Sequence, residues 1–374
     1  MKTRGAVLNA MGVEPPYDRT RPLAIDEMDL RAPGRGEVLV RIAAAGLCHS
    51  DLSVINGDRP RQTPMLLGHE AAGIVDALGE GVDDLAKGDH VVLVFVPSCG
   101  HCVPCAEGRP ALCVAGAASN GAGTLLGGHR RIFRGDETIN HHMGCSAFAE
   151  YAVVSRNSLV KIDPELALEE AALFGCAVLT GVGAVVNTAK VPMGATVAIV
   201  GLGGVGLAAL LGAVASGASR VVAVDLAADK RDFAMTLGAT EAFDAAAPNA
   251  IDAIRDATGG GVDYALEFAG SAKALELAYR ITRRGGTTVT AGLPHPTATM
   301  PLPVTHLVAE ERTVKGSYIG TCVPARDLPR YVSLYRQGRL PVDKLLTHRL
   351  GLDDINAGFE RLRVGKAIRQ VVVF

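Results

Sequence analysis

Thr196-Val-Ala-Ile-Val-Gly201-Leu-Gly203-Gly-Val-Gly206-Leu207, running on through small residues to Ser216 and then to Arg220-Val-Val-Ala-Val-Asp225, decides the fold. Thr196 to Val200 is a short β run, Leu207 to Ser216 reads as a small-residue helix, and Arg220 to Val224 is a second β run. Asp229 to Leu237 follows as another helix, with further β candidates at Val262 to Glu267, Gly286 to Thr290 and Val314 to Tyr318 and a helix at Ala272 to Ile281. Strands that alternate with helices specify a parallel sheet covered on both faces.

The glycines sit where that alternation needs them. Gly201 permits a tight turn, Gly203 lets backbone amides approach a pyrophosphate at a helix N-terminus, and Gly206 lets helix and strand pack closely. Asp225 ends the next strand at the usual distance of about 20 residues, where a carboxylate accepts hydrogen bonds from the adenosine ribose hydroxyls and repels a 2'-phosphate. The expected coenzyme is therefore NAD rather than NADP. Lys230 admits two readings, a solvated surface lysine, which spacing favours, or a second contact to the same ribose.

Upstream, the pattern is all-β. Val38, Val40 and Ile42 alternate with Leu39 and Arg41, and short strands fit Ala72 to Leu78 and Asp89 to Val96, separated by Gly/Asp turns. With 374 residues, two domains are expected: 1–177, completed by 321–374, and 178–320 for the parallel sheet. A net charge of -2 with no Lys/Arg run excludes a polyanion such as nucleic acid as the expected partner. The uncharged stretches Ala171 to Ala189 and Val191 to Ser219 are long enough for a bilayer, but their glycines, and Pro192, fit a buried strand and helix better. With no apolar leader at the N-terminus, the expectation is a cytoplasmic protein without membrane association.

Half of the eight cysteines lie in Cys99-Gly-His-Cys102-Val-Pro-Cys105-Ala-Glu-Gly-Arg-Pro-Ala-Leu-Cys113. Four thiolates at this spacing, with Gly100 and Pro104 bending the backbone, converge on one tetrahedral ion such as zinc. An iron–sulfur cluster is the alternative, although the fourth cysteine lies farther off than in ferredoxin runs and no proline follows it. Disulfides between such close neighbours are disfavoured by geometry.

Cys48-His-Ser-Asp51, Gly68-His69-Glu70 and Cys176 are far apart, and spacing alone cannot join them; singly, they read as core cysteines and a core histidine. Together with the four-cysteine loop and the glycine fingerprint, however, these motifs resemble those of the zinc-dependent medium-chain alcohol dehydrogenases, in order and over nearly the whole chain. The resemblance implies a GroES-like catalytic domain beside a Rossmann doubly wound domain, two zinc ions per subunit, and a homo-oligomer, a dimer ahead of a tetramer. It implies Cys48, His69 and Cys176 as catalytic zinc ligands, Glu70 as the acid behind the metal, Asp51 as the carboxylate orienting the ligand histidine, and Ser50 as the hydroxyl that starts proton removal. It further implies that His49 and Arg369 meet the coenzyme pyrophosphate, that Thr180, Val205 and Leu293 line the nicotinamide end, and that Phe95 and Leu293 wall the substrate pocket.

The implied reaction interconverts a primary alcohol, aliphatic or aromatic, and its aldehyde by hydride exchange with NAD, with zinc lowering the pKa of the alcohol. A thiol-adduct formaldehyde dehydrogenase and a non-catalytic coenzyme-binding relative are the alternatives. Ser53 stands where some relatives carry the histidine that ends the proton relay. Arg59 and Ala117 replace an acid and an arginine that anchor glutathione in the formaldehyde enzymes. Gly116 to Arg131 admits a site for another thiol adduct or, the favoured reading, a surface loop; His141 and His142 read as structural, and Cys145 and Cys322 as core thiols.

Overall fold

In a computed structural model that describes residues 1–374, Thr196–Val200 is a central strand of a six-stranded parallel sheet. The strand order is Glu241–Asp244, Arg220–Asp225, Thr196–Val200, Val262–Glu267, Thr282–Thr290, Thr313–Gly316. This is the doubly wound Rossmann order, whose reversal lies beside the first strand. Both faces of the central strands are apolar: Val197 and Ile199 are fully buried on one side. Ala198, Val222, Ala265 and Ile281 share a core on the other. Gly204–Ala215 is covered nearly all round because it lies between the sheet and the helix Ala177–Gly183, where a Cβ on Gly181 would fall 2.3 Å from the carbonyl oxygen of Val205.

This sheet belongs to a unit formed by Ala177–Cys322 and Arg330–Leu345. Sequence reading assigned all of 321–374 to the first domain. Arg330–Leu345 instead pack with the parallel sheet, because Leu340, Val342 and Leu345 are apolar and fully buried there and Arg339 Nη2 reaches the Ala215 carbonyl at 3.5 Å.

The other unit comprises Met1–Cys176, Val323–Pro329 and Leu346–Phe374. It contains a closed barrel of Lys2–Leu8, Leu23–Leu30, Ile132–Arg134, Glu137–His141 and Met65–Leu66, and a seven-stranded sheet in which the chain's last strand, Arg369–Val373, pairs with Glu37–Gly46. The barrel core is filled by Val7, Met28, Leu30, Leu66, Ile132 and Ile139. No single helix in the chain is long and apolar enough to cross a membrane.

Gly116 to Arg131 is not a loop throughout. Val114–Ala122 is a helix capped by the Cys113 side chain, and Leu125 is buried. Gly116 marks close packing, since a Cβ there would sit 2.1 Å from the Pro97 carbonyl oxygen.

His141 ends a barrel strand, fully buried, and its Nε2 accepts from the Arg131 amide at 3.1 Å. Burial, then the charges of Arg130 and Arg131, push its imidazole from 6.5 down to about 3. The unfolded chain therefore binds this proton more readily, so the contribution to stability is complete above about pH 6.5 and is lost as pH falls toward about 3. His141→Gln is expected to flatten the loss of urea resistance between pH 7 and 5. An unchanged slope would place the acid sensitivity elsewhere.

Candidate functional site

Strand Glu37–Gly46 delivers Cys48 to the start of helix His49–Ile55, where it is the N-cap residue. Gly68, with φ +93° and no room for a Cβ beside the Phe148 amide, turns the chain so that His69 and Glu70 point inward just before strand Ala71–Leu78. Cys176 follows the short turn Leu173–Gly175. The ligand atoms of Cys48, His69, Glu70 and Cys176 all lie within 4.8 Å of one another, and none of the four residues is more than 6% exposed.

The donor set suits a cation that displaces its protons. The Cys176 thiol, then the His69 imidazole, hold the Cys48 thiol well below its usual value against the effect of burial. Its partner Cys176 is pushed up, since the pair shares one proton. His69 Nδ1 lies 3.0 Å from Asp51 Oδ1, while its buried Nε2 has no hydrogen-bond partner. Burial disfavours the imidazolium, but Asp51 and Cys48 outweigh it and hold His69 above the ordinary range. Two sulfurs and a ring nitrogen that share protons among themselves converge as donors for a borderline-soft divalent ion, which would displace those protons and leave a position for another ligand.

Glu70 is fully buried and ion-paired with Arg369; burial, opposed by Arg369, raises its carboxyl to about 7. Gly46 makes room for that carboxylate, 2.8 Å from where its Cβ would stand. Arg369, expected at a pyrophosphate, is thus 4% exposed and directed at Glu70, whereas His49 is exposed.

In the four-cysteine loop, the Cys102 sulfur lies 3.5 Å from that of Cys105 and 3.9 Å from that of Cys113, and all four sulfurs fall within 4.8 Å. Sulfurs bound at about 2.3 Å to one tetrahedral ion stand about 3.8 Å apart, so the spacing fits a single zinc and leaves no space for a cluster. All eight cysteines are free thiols. Amides of Cys99 and Gly116 donate to Cys113 Sγ, and the Cys105 and Val114 amides hold the Cys102 thiol down to about 6.

At the parallel sheet, Gly201 has φ +93°, and a Cβ there would lie 2.6 Å from the Ala269 amide nitrogen. On Gly206 it would strike the Gly201 carbonyl oxygen at 1.8 Å, whereas beside Gly203 the space is open, as a phosphate approaching the helix requires. Asp225 Oδ2 accepts from the Leu202 amide at 2.6 Å and Oδ1 from that of Ala227 at 2.9 Å, so the carboxylate orders the glycine turn. Thr180 is buried in Ala177–Gly183, Val205 and Lys230 are half-buried, and Leu293 is 54% exposed after strand Thr282–Thr290.

Ser50 is half-buried one residue before Asp51, and the Phe95 ring stands edge-on to His69 at 5.3 Å. Ser53 donates to the His49 carbonyl at 2.9 Å. Two residues outside the sequence-derived set enter the sites. His142 Nε2 lies 3.3 Å from Asp51 Oδ1. Glu267 is buried and accepts from the Gly270 amide and the Thr290 hydroxyl, tying together the two loops beside Gly201. A carboxylate closing the run Val262-Asp-Tyr-Ala-Leu-Glu267 was the signal for the second; nothing local marks the first.

Comparison with known proteins agrees with both halves. Residues 34–164 match the alcohol dehydrogenase GroES-like domain family and 204–337 the zinc-binding dehydrogenase family. The chain is 40% identical, over all of both sequences, to a Mycobacterium tuberculosis protein provisionally named alcohol dehydrogenase D. It is 38% identical, again over both full lengths, to the S-(hydroxymethyl)glutathione dehydrogenase of Synechocystis. Among solved structures, benzyl alcohol dehydrogenase from Acinetobacter calcoaceticus superposes with a TM-score of 0.93 at 32% identity, covering 100% of this chain and 99% of that one.

Proposed function

The chain belongs to the zinc-dependent medium-chain alcohol dehydrogenase family, and from that premise we propose that it interconverts primary alcohols, aliphatic or aromatic, and their aldehydes with NAD. The observation that carries this reading is the meeting of Cys48, His69 and Cys176 around the unpartnered Nε2 of His69. These three would hold a catalytic zinc, and Cys99, Cys102, Cys105 and Cys113 a second, structural one.

When bound, zinc supplies Lewis acidity at the alcohol oxygen and the coenzyme supplies a hydride acceptor. The protein's own residues prepare the pocket. Asp51 holds a proton on His69 Nδ1, so Nε2 is the nitrogen that would give up its proton to an ion. Ser50 Oγ would accept the alcohol proton while releasing its own outward to solvent; the Ser53 hydroxyl donates to the His49 carbonyl. The Phe95 ring supports an apolar substrate beside His69. Ala117, exposed on helix Val114–Ala122, offers a glutathione adduct no charge to bind.

The test is NADH absorbance with a panel of aliphatic and benzylic alcohols and S-(hydroxymethyl)glutathione, before and after dialysis against a strong chelator. Turnover of simple alcohols that disappears with the metal is expected. Turnover indifferent to complete metal removal, or confined to the glutathione adduct, would refute the proposal.

Coenzyme choice is tested at Asp225. Removing a charge that stands a few ångströms from a 2'-phosphate relieves roughly 1–3 kcal/mol of repulsion at a partly solvated site. Arg231, whose Nη1 already bonds the carbonyls of Asp225 and Leu226, stands close enough to favour the phosphate. Asp225→Gly is therefore expected to move the ratio of kcat/KM for NADP over NAD upward by about 10- to 100-fold. An unchanged ratio would remove Asp225 from the ribose site.

A further inference from the structure

We propose that His142 is a positioning residue of the catalytic metal site: its Nε2, 3.3 Å from Asp51 Oδ1, restrains that carboxylate and, through it, fixes the His69 imidazole. The inference rests on the reading that Cys48, His69 and Cys176 hold zinc. Asp51 is fully buried, and its Oδ1 accepts from the Gly68 amide at 3.2 Å, with His69 Nδ1 at 3.0 Å and His142 Nε2 at 3.3 Å. A carboxylate only accepts, so each ring nitrogen turned toward it carries a hydrogen. That assigns the tautomers of both histidines at once, leaving His69 Nε2 as the nitrogen that would give up its proton to an ion.

The backbone that carries the second imidazole is itself held still. The His142 amide donates to Ser146 Oγ at 2.9 Å, its carbonyl accepts from the Cys145 and Ser146 amides, and its ring stands edge-on to that of His69 at 5.6 Å. His142 thus braces Asp51 from an element that contributes no metal ligand. Gly68, His69 and His142 all converge on Oδ1 while Oδ2 is left without a partner, so the carboxylate's orientation rests on that one oxygen and a second imidazole there limits its freedom to turn about its terminal bond. His141 plays no such part, since its ring faces the Arg131 amide.

The experiment measures zinc affinity of the full chain by competition with a chromogenic chelator, for wild type, His142→Phe and His142→Gln, each also in an Asp51→Asn background. His142→Phe is expected to weaken the catalytic site about 10- to 100-fold. His142→Gln, which can place an amide N–H near the Nε2 position, is expected to restore most of that loss. In the Asp51→Asn background the His142→Phe effect is expected to shrink to within about 3-fold, because a residue acting through Asp51 has nothing left to act on. In cobalt-substituted protein the visible ligand-field band is expected to shift in His142→Phe and to return in His142→Gln.

Equal affinity in wild type and His142→Phe, or a loss undiminished in the Asp51→Asn background, would overturn the inference. Should His142→Phe fail to fold, 15N-histidine spectra of the wild type decide, since a His142 ring protonated at Nδ1 and bare at Nε2 contradicts it. A wild-type chain that binds zinc only at its four cysteines would instead contradict the underlying reading.

Discussion

Cys176→Ala is expected to lose one equivalent of metal and to lower kcat/KM for alcohol oxidation by on the order of 10³-fold or more, with the fold intact. Lewis-acid polarisation of a substrate oxygen supplies several kcal/mol, and each 1.4 kcal/mol is a factor of ten in rate. Cys176 is the donor whose removal disturbs the surroundings least. It is 5% exposed and small, whereas loss of His69 would strand the buried Asp51 carboxylate, at a cost of about 3–5 kcal/mol. The check pairs steady-state kinetics with metal analysis and a thermal melt. A variant that loses the ion yet keeps its rate within about tenfold would show that the metal does not polarise the substrate.

Cys113→Ser is expected to act on stability instead. Cys113 is the most buried of the four loop cysteines, accepts from two backbone amides and caps helix Val114–Ala122, so its sulfur ties the metal loop to the next element. Loss of a structural zinc belongs to the small class of changes that cost more than about 4 kcal/mol. The variant is expected to retain one metal equivalent and measurable activity in the cold, but to denature at a markedly lower urea concentration. A denaturation midpoint equal to that of wild type would mean that the loop does not need its ion.

The sites differ in how far the sequence alone exposes them, and chain separation explains the difference. Gly201, Gly203, Gly206 and Asp225 act within one strand–helix–strand unit, so local spacing suffices. The same holds for the four cysteines, whose sulfurs are brought together by a single loop. Cys48, His69 and Cys176 come from three separate elements, and only similarity to a known family joined them in advance. The bracing of Asp51 by His142 was invisible for a related reason, since a buried histidine on a barrel edge reads as core packing until its neighbour is known.

Two misreadings share one cause. Glycine content at 116–131 predicts a surface loop, whereas Gly116 serves close packing against Pro97. The return of the chain to its first domain was drawn as one segment, although Leu340, Val342 and Leu345 had the apolar spacing of a buried patch. In both places tertiary packing, which local pattern does not report, decides the outcome. Arg369 also owes its direction to tertiary packing, since the buried acid Glu70 pairs with its guanidinium.

The most direct test is metal stoichiometry on freshly purified, fully active protein, followed through graded chelation with activity read on the same samples. Two zinc ions per chain are expected, with activity falling in proportion to loss of the one held by Cys48, His69 and Cys176. Full activity in protein that carries only the four-cysteine ion, or no ion at all, would contradict the catalytic site assigned to these residues.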